Sequence, residues 1–473
     1  MSKIKDWGYY IGFCQEAFFV QSQQGILEAL EETKLQRFHF KTMFVAGMGF
    51  FTDAYDLFII GVVTTLLSTQ WDLSKAQIGL LNATSLIAAA IGAVVFGRLS
   101  DRFGRKKLYG LEVTILTLGA LLSATSQNFT QLLIWRFIIG MGIGGDYSTS
   151  SIIMSEFSNR KNRGRLVTTV FAMQGFGLLV GPLVASALLY SGISHDIVWR
   201  IMLALGAIPS AAVIYLRRTI QESPRYLIEV KRDIASAAQV VTNLVAKTVQ
   251  VDDDRAIATS FVRQSSFWFR LLGTAGSWFF LDIAFYGNSI SSTLILHSLA
   301  PKASLLHATL LSAAIFFVFA LPGYWVSAFT VDRLGRKTIQ MLGFLVMAIS
   351  FAGMALLPNI TSYVLPFVLL YGMSYFFTEF GPNTTTFVVP AEVFPTQVRA
   401  LANGISAGAG KIGAFLGALI VPTLLVHLQL SGTEGIMAIV SLCGLLTTLL
   451  IPEFKARSLS EQSLHVEEAT VTR

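Results

Sequence analysis

The most restrictive feature of this chain is its rhythm of six apolar runs, one long charged interval, and six more apolar runs. The runs fall at about 42–69, 77–99, 108–127, 130–154, 165–190 and 198–216, then at 271–297, 306–331, 338–357, 363–390, 400–427 and 433–452. Each reaches the ~20 residues that a helix needs to cross a bilayer. Inside lipid only helices and closed barrels satisfy their own backbone hydrogen bonds. The rhythm therefore predicts an all-α membrane protein with twelve transmembrane helices in two six-helix halves. Residues 1–41 form an N-terminal segment, 42–216 the first half, 217–270 a soluble linker with short helices, 271–452 the second half and 453–473 a tail.

Composition agrees and excludes a soluble enzyme. Of 473 residues 13% are charged and 53% hydrophobic, whereas a soluble domain carries roughly 25% charge; mean hydropathy is +0.62. The net charge of +7 does not point to nucleic acid, because the basic residues sit in one set of loops. Arg98, Arg102, Arg105, Lys106 and Lys107 lie between runs 2 and 3, Arg160, Lys161, Arg163 and Arg165 between runs 4 and 5, and Arg333, Arg336 and Lys337 between runs 8 and 9. The opposite loops offer Lys75 and Lys302. The positive-inside rule then puts both termini and the linker in the cytoplasm. Cys14 and Cys443 are the only cysteines, with no CxxC and no histidine cluster, so neither a disulfide scaffold nor a metal site is expected. The stretch Gly8 to Val20 is interrupted by Gln15 and Glu16 and does not read as a signal peptide. Residues 26–41 read as a short amphipathic helix on the membrane surface.

Two motifs repeat with nearly one period. GRLSDRFGRKK at 97–107 returns as VDRLGRKTI from residue 331, so Asp101 matches Asp332 at an offset of 231; Glu156 matches Glu392 at 236. Such symmetry marks transporters built from parallel six-helix repeats. The repeated DRxGRK loop resembles the signature of the major facilitator superfamily. That resemblance implies a cytoplasmic conformational latch made of Asp101, Arg105, Glu156, Arg163, Asp332, Arg336, Glu392 and Arg399, with Glu156/Arg163 and Glu392/Arg399 as its partner elements. Longer stretches, among them FFTDAYDLF at 50–58, GIGGDYSTSSIIMSEF at 142–157, ESPRY at 222–226, WFFLDIAFYG at 278–287, FGPNTTTFVVPAEVFPTQVR at 380–399 and GISAGAGKIGA at 404–414, resemble the phosphate:proton symporter family. Ser148, Met173 and Ala391 depart from that family's usual residues.

Ionisable groups within spans cost roughly 2.5–3.5 kcal/mol each and mark partners or pathways. Those singled out are Asp53, Asp56, Glu112, Arg136, Asp146, Asp282, Glu379 and Lys411. Lys411 reads either as an anion anchor or as half of a structural ion pair. A phosphate-loop reading fails at Ile405 and Ile412. Trp278, Asp282 and Tyr286 share one helical face, which by itself would read as core packing. Asp53 and Asp56, three apart, also share a face, and their repulsion favours protonating one of them. Asp146 is ten residues beyond Arg136, about 15 Å along a helix, too far for a direct pair. Glu112 and Glu379 carry no assignment. The family resemblance implies that Tyr147, Gln174, Trp278, Tyr286, Asn383 and Lys411 donate to phosphate while Asp282 accepts from its protonated form. Asp53, Asp56 and Asp146 would couple protons.

The resulting expectation is a plasma-membrane symporter of inorganic phosphate and protons, embedded in the lipid bilayer, with no cofactor beyond the coupling proton and no nucleic-acid partner. A transporter of an organic anion or sugar on the same fold is the main alternative, and a non-transporting phosphate sensor a weaker one. No Ser/His/Asp set, metal cluster or nucleotide loop supports an enzyme.

Overall fold

The computed structural model describes residues 23–245, 265–297 and 305–453, together with Leu459. The sequence expectations for Gly8 to Val20, for Lys302, for part of the linker and for almost all of the tail lie outside the described residues. Within them the regular structure is helical. The first half comprises α1 (Gln23–Glu31), α2 (Arg37–Gln70), α3 (Lys75–Phe103), α4 (Arg105–Ala124), α5 (Phe129–Phe157), α6 (Arg163–Tyr190), α7 (His195–Leu205) and α8 (Ala207–Arg218). The linker holds α9 (Pro224–Tyr226), a π-turn and α10 (Ile234–Val245). The second half follows as α11 (Ser265–Ile290), α12 (Ser292–His297), α13 (Leu305–Ile315), α14 (Leu321–Leu334), α15 (Arg336–Leu356), α16 (Val364–Thr378), α17 (Thr384–Val393) and α18 (Arg399–Thr448).

Each of the twelve apolar runs is helical over most of its length. Nine helical stretches among the described residues are long and apolar enough to cross a membrane. That count takes the fifty-residue α18 as one, although it holds both of the last two runs and breaks at Gln429 (φ 55, ψ −171). Large apolar side chains such as Leu118, Ile134, Phe317, Phe329 and Ile349 stay exposed around the bundle, an arrangement suited to lipid.

Lipid supplies no hydrophobic force between helices, so close contact depends on small residues. A Cβ on Gly144 of α5 would lie 2.0 Å from the Ala89 carbonyl of α3, and one on Gly413 of α18 would lie 2.2 Å from the Phe279 carbonyl of α11. The halves meet by the same means: Gly97 of α3 approaches the Ala400 carbonyl and Gly404 of α18 approaches that of Ala93.

Three details depart from the sequence reading. First, the apolar face of α1 is covered by protein and does not lie on a membrane surface. Ile26, Leu27 and Leu30 pack with Ala237, Ala238, Val241 and Val245 of α10, because two amphipathic helices bury each other's stripe. Second, the sequence reading starts the linker two residues too early: α8 runs to Arg218, and Arg217 is fully buried in its last turn. Third, run 10 is interrupted by a π-turn at Glu379–Asn383, with Gly381 non-helical and Pro382 lacking an N–H to continue the ladder. Gly343 of α15 makes room for it, since a Cβ at that position would fall 2.5 Å from the Gly381 Cα.

Gly49 of α2 faces the buried Asp146–Arg217 pair, and a Cβ there would fall 1.6 Å from Asp146 Oδ2 and 2.7 Å from Arg217 Nη2. Gly49→Ala should destabilise the protein by about 1–3 kcal/mol through overpacking. Gly61→Ala on the same helix has open space and should be neutral or slightly stabilising. Thermal unfolding of both variants in detergent checks the pair.

Candidate functional site

The predicted centre assembles where the halves meet. Asp53 of α2, Tyr147 of α5, Gln174 of α6, Trp278, Asp282 and Tyr286 of α11, Asn383 of the π-turn and Lys411 of α18 are all within 6% of full burial. Lys411 Nζ donates to the Tyr286 hydroxyl, lies 4.0 Å from Asp282 Oδ2, and sits 4.0 Å over the Tyr147 ring and 4.4 Å over that of Tyr286. Two electron-rich ring faces thus help to hold a cation that its nearest carboxylate touches only loosely. Neither Asp282 oxygen accepts a hydrogen bond from the protein. Tyr147 donates to Asp53 Oδ2 (2.7 Å) and accepts from Gln174 Nε2 (3.2 Å). Asn383 approaches the same Gln174 (3.4 Å). Phe50, Phe171 and Phe387 pack edge-on or tilted around Tyr147 and keep the cluster dry. The cluster therefore offers several hydroxyl and amide donors, one ammonium and one under-used carboxylate, which is the donor and acceptor set a small protonated oxyanion requires.

The structure separates the three carboxyls that the sequence groups as proton carriers. Asp53 reaches the centre and bonds to a neutral hydroxyl. Asp56 takes Arg136 Nη1 on both oxygens, at 2.6 and 2.7 Å. Asp146 does not open onto the centre: it takes Arg217 Nη1 at 2.6 Å and Nη2 at 3.0 Å, and accepts from Ser150. α2 is buried on nearly every side, so residues three apart meet different partners.

At the basic end of the bundle the two repeats interlock. Asp101 of α3 accepts from the N–H groups of Ala400 and Leu401, the first turn of α18 in the other half. Asp332 of α14 accepts from those of Gly164 and Arg165, the first turn of α6. Each carboxylate is an N-terminal cap supplied by the opposite half, where the helix dipole favours negative charge. Gly104 (φ 102) and Gly335 (φ 97) turn the chain immediately afterwards, a backbone region costly for any other residue. Arg105 reaches Asp101 and Glu156, and Arg336 reaches Asp332 and Glu392. Between the partner elements the contact crosses the halves: Arg399 reaches Glu156 (3.1 Å), whereas Arg163 reaches Glu31 of α1 (3.2 Å). The other end is closed by lighter contacts, Ser186 to Thr309 (3.0 Å) and Phe58 against Phe316.

Several participants were not legible. Glu222 accepts from the N–H groups of Arg105 and Lys106, and Glu453 from those of Arg336 and Lys337; their offset of 231 was the available signal. Burial holds the Glu222 carboxyl above its ordinary range against hydrogen bonds from Ser223 and Arg105. Glu434, inside run 12, is fully buried beside Asn288. Tyr324 of α14 donates to Gln174 (2.8 Å) and accepts from Asn383 (2.9 Å); only its place in an apolar run hid it. Among the described residues no group of three or more His, Cys, Asp or Glu side chains suits a metal.

A family model for sugar (and other) transporters matches residues 42–465. Inorganic phosphate transporter 1-11 of Oryza sativa subsp. japonica is 35% identical, covering 93% of this chain and 90% of its own. Probable inorganic phosphate transporter 1-6 of Arabidopsis thaliana is 36% identical, covering 94% and 98%. Among solved structures, the major facilitator superfamily proton:xylose symporter XylE bound to 6-bromo-6-deoxy-D-glucose superposes with a TM-score of 0.75 at 21% identity, over 90% of this chain and 98% of its own. The fold is that of the major facilitator superfamily, a multi-pass membrane architecture. Within it, the chain belongs to the sugar (and other) transporter family.

Asp332→Asn keeps an acceptor for the first turn of α6 but removes the charge, worth about 1.5–3 kcal/mol for a charge-assisted bond. Double electron–electron resonance between spin labels at the exposed Lys161 and Arg333 should show longer distances in D332N than in the parent. An unchanged distribution would show that the cap does not hold the halves together.

Proposed function

We propose that this protein imports inorganic phosphate together with protons by alternating access, through twelve crossings of the plasma membrane with both termini and the linker on the cytoplasmic side. The observation that carries the reading is Lys411, buried at the meeting of the halves, ringed by hydroxyl and amide donors and only loosely countered by Asp282. The inorganic phosphate transporters at 35–36% identity support the substrate. Dihydrogen phosphate would accept from Lys411, Tyr147, Tyr286, Gln174 and Asn383 and donate its own proton to Asp282.

Coupling follows from charge. With Asp53 and Asp282 ionised and Lys411 protonated, the unloaded centre carries one net negative charge. The anion alone would raise this to two in a dry, low-dielectric site, whereas the anion with a proton on Asp53 restores one. Only the unloaded and the doubly loaded centre then close at similar cost. Asp53 suits the proton because it has no arginine and shares the field of Lys411 with Asp282; protonating Asp56 or Asp146 would strand Arg136 or Arg217 without its partner. The interlocked repeats at the basic end act as the cytoplasmic latch, and exchange requires both reciprocal caps to release together. A neutral sugar would leave Lys411 and Asp282 without a purpose in recognition, which favours an anion over the main alternative.

In liposomes containing only this protein, an inward proton gradient should drive labelled phosphate accumulation, competed by arsenate and not by glucose or benzoate. Lys411→Ala should abolish uptake with the protein still folded and inserted; retained uptake at normal affinity would remove the anchor role. Asp53→Asn should make uptake insensitive to the gradient while phosphate exchange persists. Asp56→Asn should instead lower the unfolding temperature, since breaking a buried pair costs about 3–5 kcal/mol.

A further inference from the structure

We propose that Glu379 is a second proton-binding carboxyl of the transport cycle, joined to Asp53 by a hydrogen-bond chain that crosses between the halves. The proposal rests on the phosphate reading for its substrate and extends it to the charge moved per turnover.

Glu379 opens the π-turn between α16 and α17 and is fully buried. Its Oε2 accepts from Asn383 Nδ2, and its Oε1 has no hydrogen-bond partner. The groups that face it are Tyr324 of α14, Asp282 and Tyr286 of α11, and Tyr375 of α16, so no cation stands among them. Gly323 of α14 lets the Glu379 Cβ approach closely, and the side chain has no exposed surface. Ionised while phosphate occupies the centre, it would add an uncompensated charge beside Asp282 and the anion in a low-dielectric core, so closure around phosphate requires its proton. Asp56, Asp146, Glu156 and Glu392 differ, since each has an arginine.

From Glu379 the chain runs through Asn383, the Tyr324 hydroxyl (2.9 Å), Gln174 (2.8 Å), the Tyr147 hydroxyl (3.2 Å) and Asp53 (2.7 Å). Gln174 belongs to the first half, Tyr324 and Asn383 to the second, so separating the halves breaks it. Its amide links carry fixed protons and cannot pass one along. The chain therefore aligns the two carboxyls without leaking protons between them. Phosphate that engages the Asn383 amide competes with its bond to Glu379 and thereby favours the protonated acid. Glu379 takes its proton with phosphate on one side, gives it up with phosphate on the other, and returns ionised in the empty centre, where the anion's charge is absent; each dihydrogen phosphate then travels with two protons, and one positive charge moves inward.

Glu379→Gln preserves the acceptor for Asn383 and removes the exchangeable proton. Liposomes are given a potassium diffusion potential, inside negative, without a pH gradient, and labelled phosphate is followed. About 100 mV supports roughly fifty-fold accumulation per net charge. The parent protein should accumulate phosphate under this potential; E379Q should take phosphate up only to equilibrium with the outside, with no response to the potential, yet still accumulate it under a pH gradient. Undiminished potential-driven uptake by E379Q overturns the proposal, as does a parent driven by pH but not by potential. Should E379Q transport nothing, infrared pH titration of purified phosphate-free protein decides: loss of one protonated-carboxyl band relative to the parent sustains the site, and an identical spectrum overturns it. A parent that moves no phosphate under any gradient overturns the phosphate reading, and the same infrared comparison still judges Glu379.

Discussion

Cancellation of buried charge in a low-dielectric bundle is the constraint on which the rest of this structure depends. Arg105, Arg136, Arg217, Arg225 and Arg399 are among the largest fully buried side chains, and each finds a carboxylate: Glu156, Asp56, Asp146, Glu31 and again Glu156. Such pairs add little net stability, because desolvation offsets most of the attraction. What they fix is adjacency, since an arginine on one helix tolerates only the neighbour that carries its acid. The rigid frame of each half is paired in this way. Asp53, Glu379 and Glu434 have no ion-pair partner among the described residues, and Lys411 meets Asp282 only at 4.0 Å. Charge is matched by arginine through the frame and at the interlocked end, including the Arg399–Glu156 pair that joins the halves, and is matched only loosely around Lys411 at the centre.

The repeat turns this local rule into a device spanning the molecule. Because Asp101 and Asp332 occupy matched positions, each caps the first turn of a helix in the opposite half, and neither bond can be lost by a rigid tilt without straining the other. The opposite end relies on a hydroxyl pair and aromatic contact, which are weaker and more easily rearranged. The symmetry also fails at one informative place. Arg399 crosses to Glu156, whereas its counterpart Arg163, which also feels Glu392, pairs with Glu31, so α1 adds an acid to that side of the repeat. Glu31 also pairs with Arg225 of α9. The N-terminal helix is thereby tied to the linker at the point where the two halves differ.

What could be read from the sequence was whatever depends on composition along one helix. Apolar length located the helices, and loop charge and the repeat located the interlocking motifs, because those signals are local or periodic. The central residues followed from family motifs, not from spacing: Trp278, Asp282 and Tyr286 at helical spacing would otherwise have read as packing. Partnerships were not legible, since they depend on which helix lies across the bundle. Asp146 reads as free for the cavity because its arginine lies 71 residues away, just past the end of the sixth apolar run. Asp53 and Asp56 read as one repelling pair only if a helical face has a single neighbour, and α2 has several. Tyr324 carried no sequence signal at all, being one aromatic residue in an apolar run, yet it bridges the two halves.

Tyr147 explains why proton and anion would bind together and not merely in the same place. A tyrosine hydroxyl has one donor and can accept twice. With Asp53 ionised, that donor is committed to Asp53 and one acceptor position is taken by Gln174. Phosphate arriving in this state meets a hydroxyl with no hydrogen to offer. Once Asp53 is protonated it can donate to Tyr147, and the phenolic hydrogen is released toward the centre, where Lys411 already rests on the ring face. On the proposed reading the proton would thus create a donor for the anion through one atom. By linkage the anion, in claiming that donor, raises the affinity of Asp53 for its proton by the same factor. Charge balance excludes the arginine-paired Asp56 and Asp146 but would still admit Asp282; on the proposed reading the hydrogen-bond valence of Tyr147 favours Asp53.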